Sequence, residues 1–135
     1  MFILQKKFNV LFIPIPLPER TMELILGTYE NFLLGYKYPS LEQTFNIHQH
    51  KNAVKSINVN NKGLVVSGGG DENVHLLNLK SRKEYGSLFS HNDKICGVHF
   101  SGKNDYLLYS TSEDGTIVRW EYKSHGVVRC QVCWY

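Results

Sequence analysis

The chain is poor in the features that mark specialised protein classes. Proline is scarce at four residues, while eight tyrosines and seven phenylalanines tilt the class toward β-structure. Three cysteines are an odd number, so they form no self-contained disulfide framework, and a reducing intracellular compartment is expected. A net charge of only +3 permits an acidic partner but argues for neither nucleic acid nor membrane. The apolar run Phe8–Ile15, behind Lys6 and Lys7, is the one stretch that invites comparison with a secretory core. It ends among Pro14, Pro16 and Pro18 ahead of Glu19 and Arg20, without small residues for cleavage, and falls far short of the ~20 residues of a membrane span. No signal peptide or transmembrane segment is therefore expected, and residues 1–21 read as an extension outside the fold. With 42% hydrophobic and 20% charged residues, what remains has the composition of a globular chain sized for one domain of about 100–150 residues.

What is present is a duplication. Ser110–Tyr122, STSEDGTIVRWEY, reads as a strand end, a tight turn at Asp114-Gly115 and a second strand. An Asp-Gly pair between β-branched runs is a strong hairpin signal, because such turns need positive φ, which glycine tolerates. Ser67–Leu79, SGGGDENVHLLNL, aligns with it without a gap, placing Ser67 on Ser110, Asp71 on Asp114, Val74 on Ile117 and Leu77 on Trp120, all 43 positions apart. His50 and His91 precede the two units 41 positions apart. A period of about 40–45 residues with His early, Asp in the middle and Trp late is the pattern of WD40 propeller blades.

In chain order, a unit opens at His50 with strands expected over 54–59, 64–67, 74–79 and 84–89, and the basic turn Lys80–Lys83 precedes the last of them. A second opens at His91 with strands over 95–100, 106–111 and 116–122. Upstream, matching Glu30-Asn31 to Glu72-Asn73, 42 positions on, makes 22–49 an incomplete blade lacking its first strand. In that register Tyr29 stands for the turn Asp and Gly35 for the Trp. Residues 124–135 read as a divergent tail in which VVRCQVCWY could supply a fourth strand. The expected fold is thus all-β, a partial WD40 β-propeller over 22–123 made of the incomplete blade 22–49 and the blades 50–90 and 91–123. About two to three four-stranded antiparallel blades cannot close a ring, since the smallest propellers have ~4. The reading is of a fragment, a truncated product or a splice form.

Residues 22–123 also resemble the start of one subfamily, the PAK-kinase-interacting WD40 proteins, whose close relatives act in maturation of the large ribosomal subunit. The matching stretches are MELILGTYENFLLGY from Met22, VNNKGLVVSGGGDENVHLLNL from Val59 and STSEDGTIVRW from Ser110. The resemblance implies a hydrogen-bonded set of loop His, strand Ser, turn Asp and strand Trp. His91, Ser110, Asp114 and Trp120 match all four members. His50, Ser67 and Asp71 match three, and with Leu77 in place of Trp that set has one donor fewer and is expected to be weaker. The resemblance further implies a non-catalytic scaffold of the nucleus or nucleolus, binding pre-ribosomal factors or a PAK-type kinase. RNA would be reached only indirectly, and no cofactor, small-molecule substrate or membrane is implied. The lysine-rich C-terminal tail usual in the family is not in this sequence.

Sharper chemistry fares poorly. His91, Ser110 and Asp114 are the residue types of a hydrolytic triad, but the trio recurs at blade period and no Gly-x-Ser-x-Gly elbow or oxyanion motif accompanies it, so no enzyme is expected. His48 and His50 are too few for a metal. Cys130 and Cys133 form a Cys-x-x-Cys without a second pair, and Gly68–Gly70 does not match a phosphate loop and reads as a close approach of backbones. Lys80–Lys83 reads as a solvated turn.

Overall fold

A computed structural model describes residues 8–14, 22–123 and 126–134, with side chains described over 22–122 and at Val132. Among the described residues it contains twelve strands and no helix. The strands form three four-stranded antiparallel sheets, each a meander in which consecutive strands pair. The first comprises β1 (Phe8–Pro14), β2 (Met22–Thr28), β3 (Phe32–Tyr38) and β4 (Gln43–His48). The second comprises β5 (Val54–Val59), β6 (Leu64–Gly69), β7 (Val74–Asn78) and β8 (Lys83–Leu88). The third comprises β9 (Ile95–Phe100), β10 (Leu107–Ser112), β11 (Thr116–Lys123) and β12 (Gly126–Trp134). The sheets stack as blades with their first strands together, β5 lying between β1 and β9.

Three expectations are corrected. Residues 1–21 do not all lie outside the fold: Phe8–Pro14 pair residue for residue with Met22–Thr28 and give the first blade the strand it was expected to lack. Pro14 is tolerated there because β1 is the edge strand of its sheet. Residues 126–134 likewise run along β11 and complete the third blade rather than forming a separate tail. The match of blade 1 to blade 2 is 41 positions rather than 42. Asn31 and Glu72 both turn the chain with positive φ, 74° and 68°, and the pair Leu26–Leu34 answers to Ser67–His75. A one-residue slip turns every side chain to the opposite face. In the true register Glu30 stands where the Asp was sought and Tyr36 where the Trp was sought.

The packing follows from these registers. All six residues of β6 are buried, because the middle sheet is covered on both faces and its apolar run therefore shows no alternation. One face places Val65, Leu77 and Leu79 against Ile25, Leu33 and Phe45 of blade 1. The other places Leu64, Val66, Val74, Leu76 and Leu88 against Ile95, Val98, Leu108, Val118 and Trp120 of blade 3. Each blade-to-blade interface has a close approach at a glycine. A Cβ on Gly27 would lie 2.6 Å from Val54 Cγ1, and one on Gly68 would lie 2.4 Å from Ile95 Cγ2.

Polar side chains also tie the blades. Ser56 Oγ and Asn58 Oδ1 on β5 accept from the amides of Val98 and Phe100 on β9, satisfying backbone donors at a sheet edge. Asn60 spends its whole amide in the same way. Its Oδ1 accepts from the Lys62 and Leu64 amides, and its Nδ2 donates to Asp105 O and to the Tyr122 hydroxyl at 2.8 Å.

Candidate functional site: two buried histidine corners

At the third blade, the turn after β10 carries Asp114 back toward the loop that opens with His91. Trp120 Nε1 donates to Ser110 Oγ at 2.8 Å, and Ser110 Oγ stands 2.7 Å from His91 Nε2. On its other side His91 Nδ1 lies 2.9 Å from Thr116 Oγ1, which donates to Asp114 Oδ1 at 2.6 Å. Every hydroxyl gives one proton and takes one, so the chain of bonds has a single consistent direction. It runs from the indole N–H through Ser110, the ring of His91 and Thr116 to the carboxylate. The direct His91 Nδ1–Asp114 Oδ2 separation is 3.4 Å, which leaves Thr116 as the bridge. Thr116 was not singled out from the sequence, although its place two residues after the turn Asp was a signal. Ser110 is fully buried and Trp120 is 3% exposed.

At the second blade the corresponding corner is built differently. His50 Nδ1 meets Asp71 Oδ1 directly at 2.9 Å, and His50 Nε2 meets Ser67 Oγ at 2.8 Å. Asn73 occupies the position of Thr116, so no hydroxyl intervenes. Leu77 brings no donor to Ser67, as its side chain dictates. Gly69 makes room for the corner, since a Cβ there would fall 2.7 Å from His50 Nδ1. In both corners the Asp carboxylate also caps the loop backbone, accepting from the amides of Lys51 (3.0 Å) and Asn92 (2.8 Å). The first blade has no such corner among its described side chains: Leu26 takes the Ser position and Tyr36 the Trp position.

The electrostatics agree on one charge state. Burial opposes the charge of Asp71, yet hydrogen bonds from His50, His75 and the Lys51 amide outweigh it and hold the carboxyl well below the usual range. Asp114 is likewise held low, by Thr116 and the Asn92 amide against the opposing effect of desolvation. His50 moves down from its ordinary value because its burial outweighs its bond to Asp71. The pair is therefore a neutral imidazole donating to an ionised carboxylate.

His75 also went unremarked in the sequence, because its equivalents Val118 and Leu34 are apolar and the strand pattern there reads as core. It places Nε2 3.4 Å from Asp71 Oδ2 and Nδ1 2.7 Å from Ser87 Oγ. Its ring meets that of His50 edge-on at 4.4 Å. His48 is exposed, stacked on Phe32, and takes no part. Cys96 is a free, exposed thiol, and the side chains of Cys130 and Cys133 lie outside the described residues. The basic turn is not wholly solvated: Arg82 Nη1 reaches Glu23 Oε1 on blade 1 at 2.6 Å and lies over the Phe45 ring.

These corners on stacked four-stranded sheets define a repeat protein of the propeller type. The family described as "WD domain, G-beta repeat" matches residues 82–121. The chain belongs to the WD40-repeat proteins. Over 111 residues it is 36% identical to the Xenopus laevis p21-activated protein kinase-interacting protein 1-like, covering 78% of this chain and 30% of that one. It is 30% identical to Protein MAK11 of Saccharomyces cerevisiae, covering 78% and 32%, and 32% identical to the human p21-activated protein kinase-interacting protein 1, covering 60% and 24%. The chain thus spans about a third or less of the length of the curated relatives it matches. Its fold is shared with the solved "Structure of U3-55K" at a TM-score of 0.69 and 17% identity, over 83% of this chain and 33% of that one. Among the described residues no helix is long and apolar enough to cross a membrane.

Proposed function

We propose that this chain is a non-catalytic WD40 scaffold that holds proteins together during biogenesis of the large ribosomal subunit, in the nucleolus or nucleus. The observation that carries the non-catalytic half is the burial of both corner serines, Ser67 and Ser110, at 1% and 0% exposure. Each hydroxyl is committed to a histidine inside a sheet stack, where no substrate carbonyl reaches it, and a nucleophile must be exposed to act. Similarity to MAK11 and to the p21-activated kinase-interacting proteins supports the biological half. The rigid stack leaves its turns outward, and loops on a rigid frame are where partners are recognised.

Affinity purification of the tagged full chain tests this reading. Recovery of large-subunit precursor proteins is the expected result. Recovery of the regulatory segment of a PAK-type kinase would replace it with the second reading, a signalling adaptor that holds such a kinase in check, which the names of the animal relatives favour. Recovery of neither would mean that the chain has no independent function. A hydrolase is tested separately: Ser110→Ala is expected to lower stability with no turnover to lose.

A further inference from the structure

We infer that His50, Asp71 and His75 form a binding site for a zinc-type divalent cation at the corner of the second blade. Asp71 faces both rings, Oδ1 toward His50 and Oδ2 toward His75, and one ligand atom from each of the three residues lies within 4.8 Å of the others. Tetrahedral zinc, at about 2.0–2.2 Å from its ligands, sets ligand atoms roughly 3.4 Å apart. The longest edge therefore closes by at most about 1.4 Å, a side-chain adjustment.

The contacts around His75 suit it to hold a cation. Ser87 Oγ donates its proton to Glu84 Oε1 at 3.2 Å. The same Oγ stands 2.7 Å from His75 Nδ1. On the other side of the ring, His75 Nε2 faces the ionised Asp71 Oδ2 at 3.4 Å. That spacing is longer than a good N–H···O bond, so the contact is a weak one to give up. A cation held by both replaces it with coordinate bonds of about 2.0–2.2 Å. The Ser87–Glu84 pair is then the outer shell that orients a metal-bound imidazole, as such shells commonly do.

His50 completes the set because its blade lacks the tryptophan. In the third blade Ser110 accepts from Trp120 and so gives its own proton to His91 Nε2, which keeps the other proton on Nδ1. In the second blade Leu77 offers Ser67 no donor. Ser67 can accept from His50 Nε2–H, freeing Nδ1 to face the metal beside Asp71. The proton shifts from one ring nitrogen to the other with no net loss. The third blade cannot copy the site, since Val118 stands where His75 does.

The test uses metal-stripped full chain carrying Cys96→Ser, Cys130→Ser and Cys133→Ser, so that no thiol competes for zinc. Zinc chloride at about 100 times its dissociation constant is expected to raise Tm by on the order of 5 °C, and a chelator should reverse the rise. His75→Val, which copies the third blade, should remove the rise while leaving the His50–Asp71–Ser67 bonds in place. No rise in the parent chain, or the same rise in His75→Val, overturns the site. Should His75→Val fail to fold, Glu84→Gln on the exposed strand β8 decides instead: weaker zinc binding by about 10-fold or more supports the site, and unchanged binding overturns it.

Discussion

Trp120 donates its indole N–H to Ser110 across 2.8 Å, at the head of the directed chain of bonds that ends on Asp114. Trp120→Phe keeps most of the ring volume and deletes only the donor, leaving Ser110 one bond short. The expected loss is about 1–2 kcal/mol, the range for a buried hydrogen bond. Ser110→Ala strands both the indole N–H and His91 Nε2. At roughly 1–3 kcal/mol for each orphaned group it should cost about 2–6 kcal/mol. Urea titration of the two variants checks the order, and a milder effect for Ser110→Ala than for Trp120→Phe would break the proposed direction of the chain.

The second blade is joined to the third by contact at a missing side chain. Gly68→Ala would drive its methyl to 2.4 Å from Ile95 Cγ2, closer than real Cβ contacts come. Overpacking of this kind costs about 1–3 kcal/mol. Ile95→Leu moves the branch away from Cβ and should recover part of that loss. A double-mutant cycle is expected to give a favourable coupling of at least 0.5 kcal/mol, the scale for residues in contact. Additive effects would mean that the blades do not meet as described.

Acid should weaken the molecule in two stages. The folded pKa of His50 lies below its ordinary value of 6.5, so the unfolded chain binds a proton there that the folded chain refuses. That contribution is complete above about pH 6.5 and declines as pH falls through the folded pKa. Asp71 and Asp114 have folded values below the ordinary 3.8. Their contribution is complete above about pH 4 and is lost only below it. Thermal unfolding across pH 3–8 should therefore show a flat region near neutrality, a decline below about pH 6.5 and a steeper one below about pH 4. Asp71→Asn should shrink the lower stage, and a stability that rises on acidification would contradict the charge state assigned to the corner.

The parts legible in the sequence were those where chemistry and backbone make the same demand. Asp114-Gly115 marks a turn because the carboxylate caps it and Gly115 takes a φ of 82°, and both leave letters behind. The second turn keeps Asp71 but gives the positive φ to Glu72, so the repeat showed there only by alignment. In the first blade two shared letters, Glu-Asn, outweighed geometry and set the register one residue off. Backbone conformation at Asn31 decides it, and one sequence does not display φ. Strand β1 was hidden because prolines beside an apolar run read as a failed secretory core when no partner strand is in view. His75 was missed for the opposite reason: a single polar residue on a buried strand leaves no periodic trace.

Glu23 shows how the blades share a buried charge. It is 2% exposed on β2, and its Oε1 takes Arg82 of blade 2 at 2.6 Å and the hydroxyl of Thr44, while Oε2 has no hydrogen-bond partner among the described residues. Breaking a fully buried pair from one side costs about 3–5 kcal/mol. The Arg82 side chain is 37% exposed, so solvent screening reduces that figure, and Arg82→Ala should cost about 1–3 kcal/mol. Replacing both members, Glu23→Leu with Arg82→Met, removes the uncompensated charge and lets apolar atoms fill the space beside Phe45. The double variant should be more stable than Arg82→Ala alone, by more than the ~0.5 kcal/mol within which independent sites add. Equal stability of the two would mean that the carboxylate reaches water and that Arg82 is an ornament of the surface rather than a tie between blades.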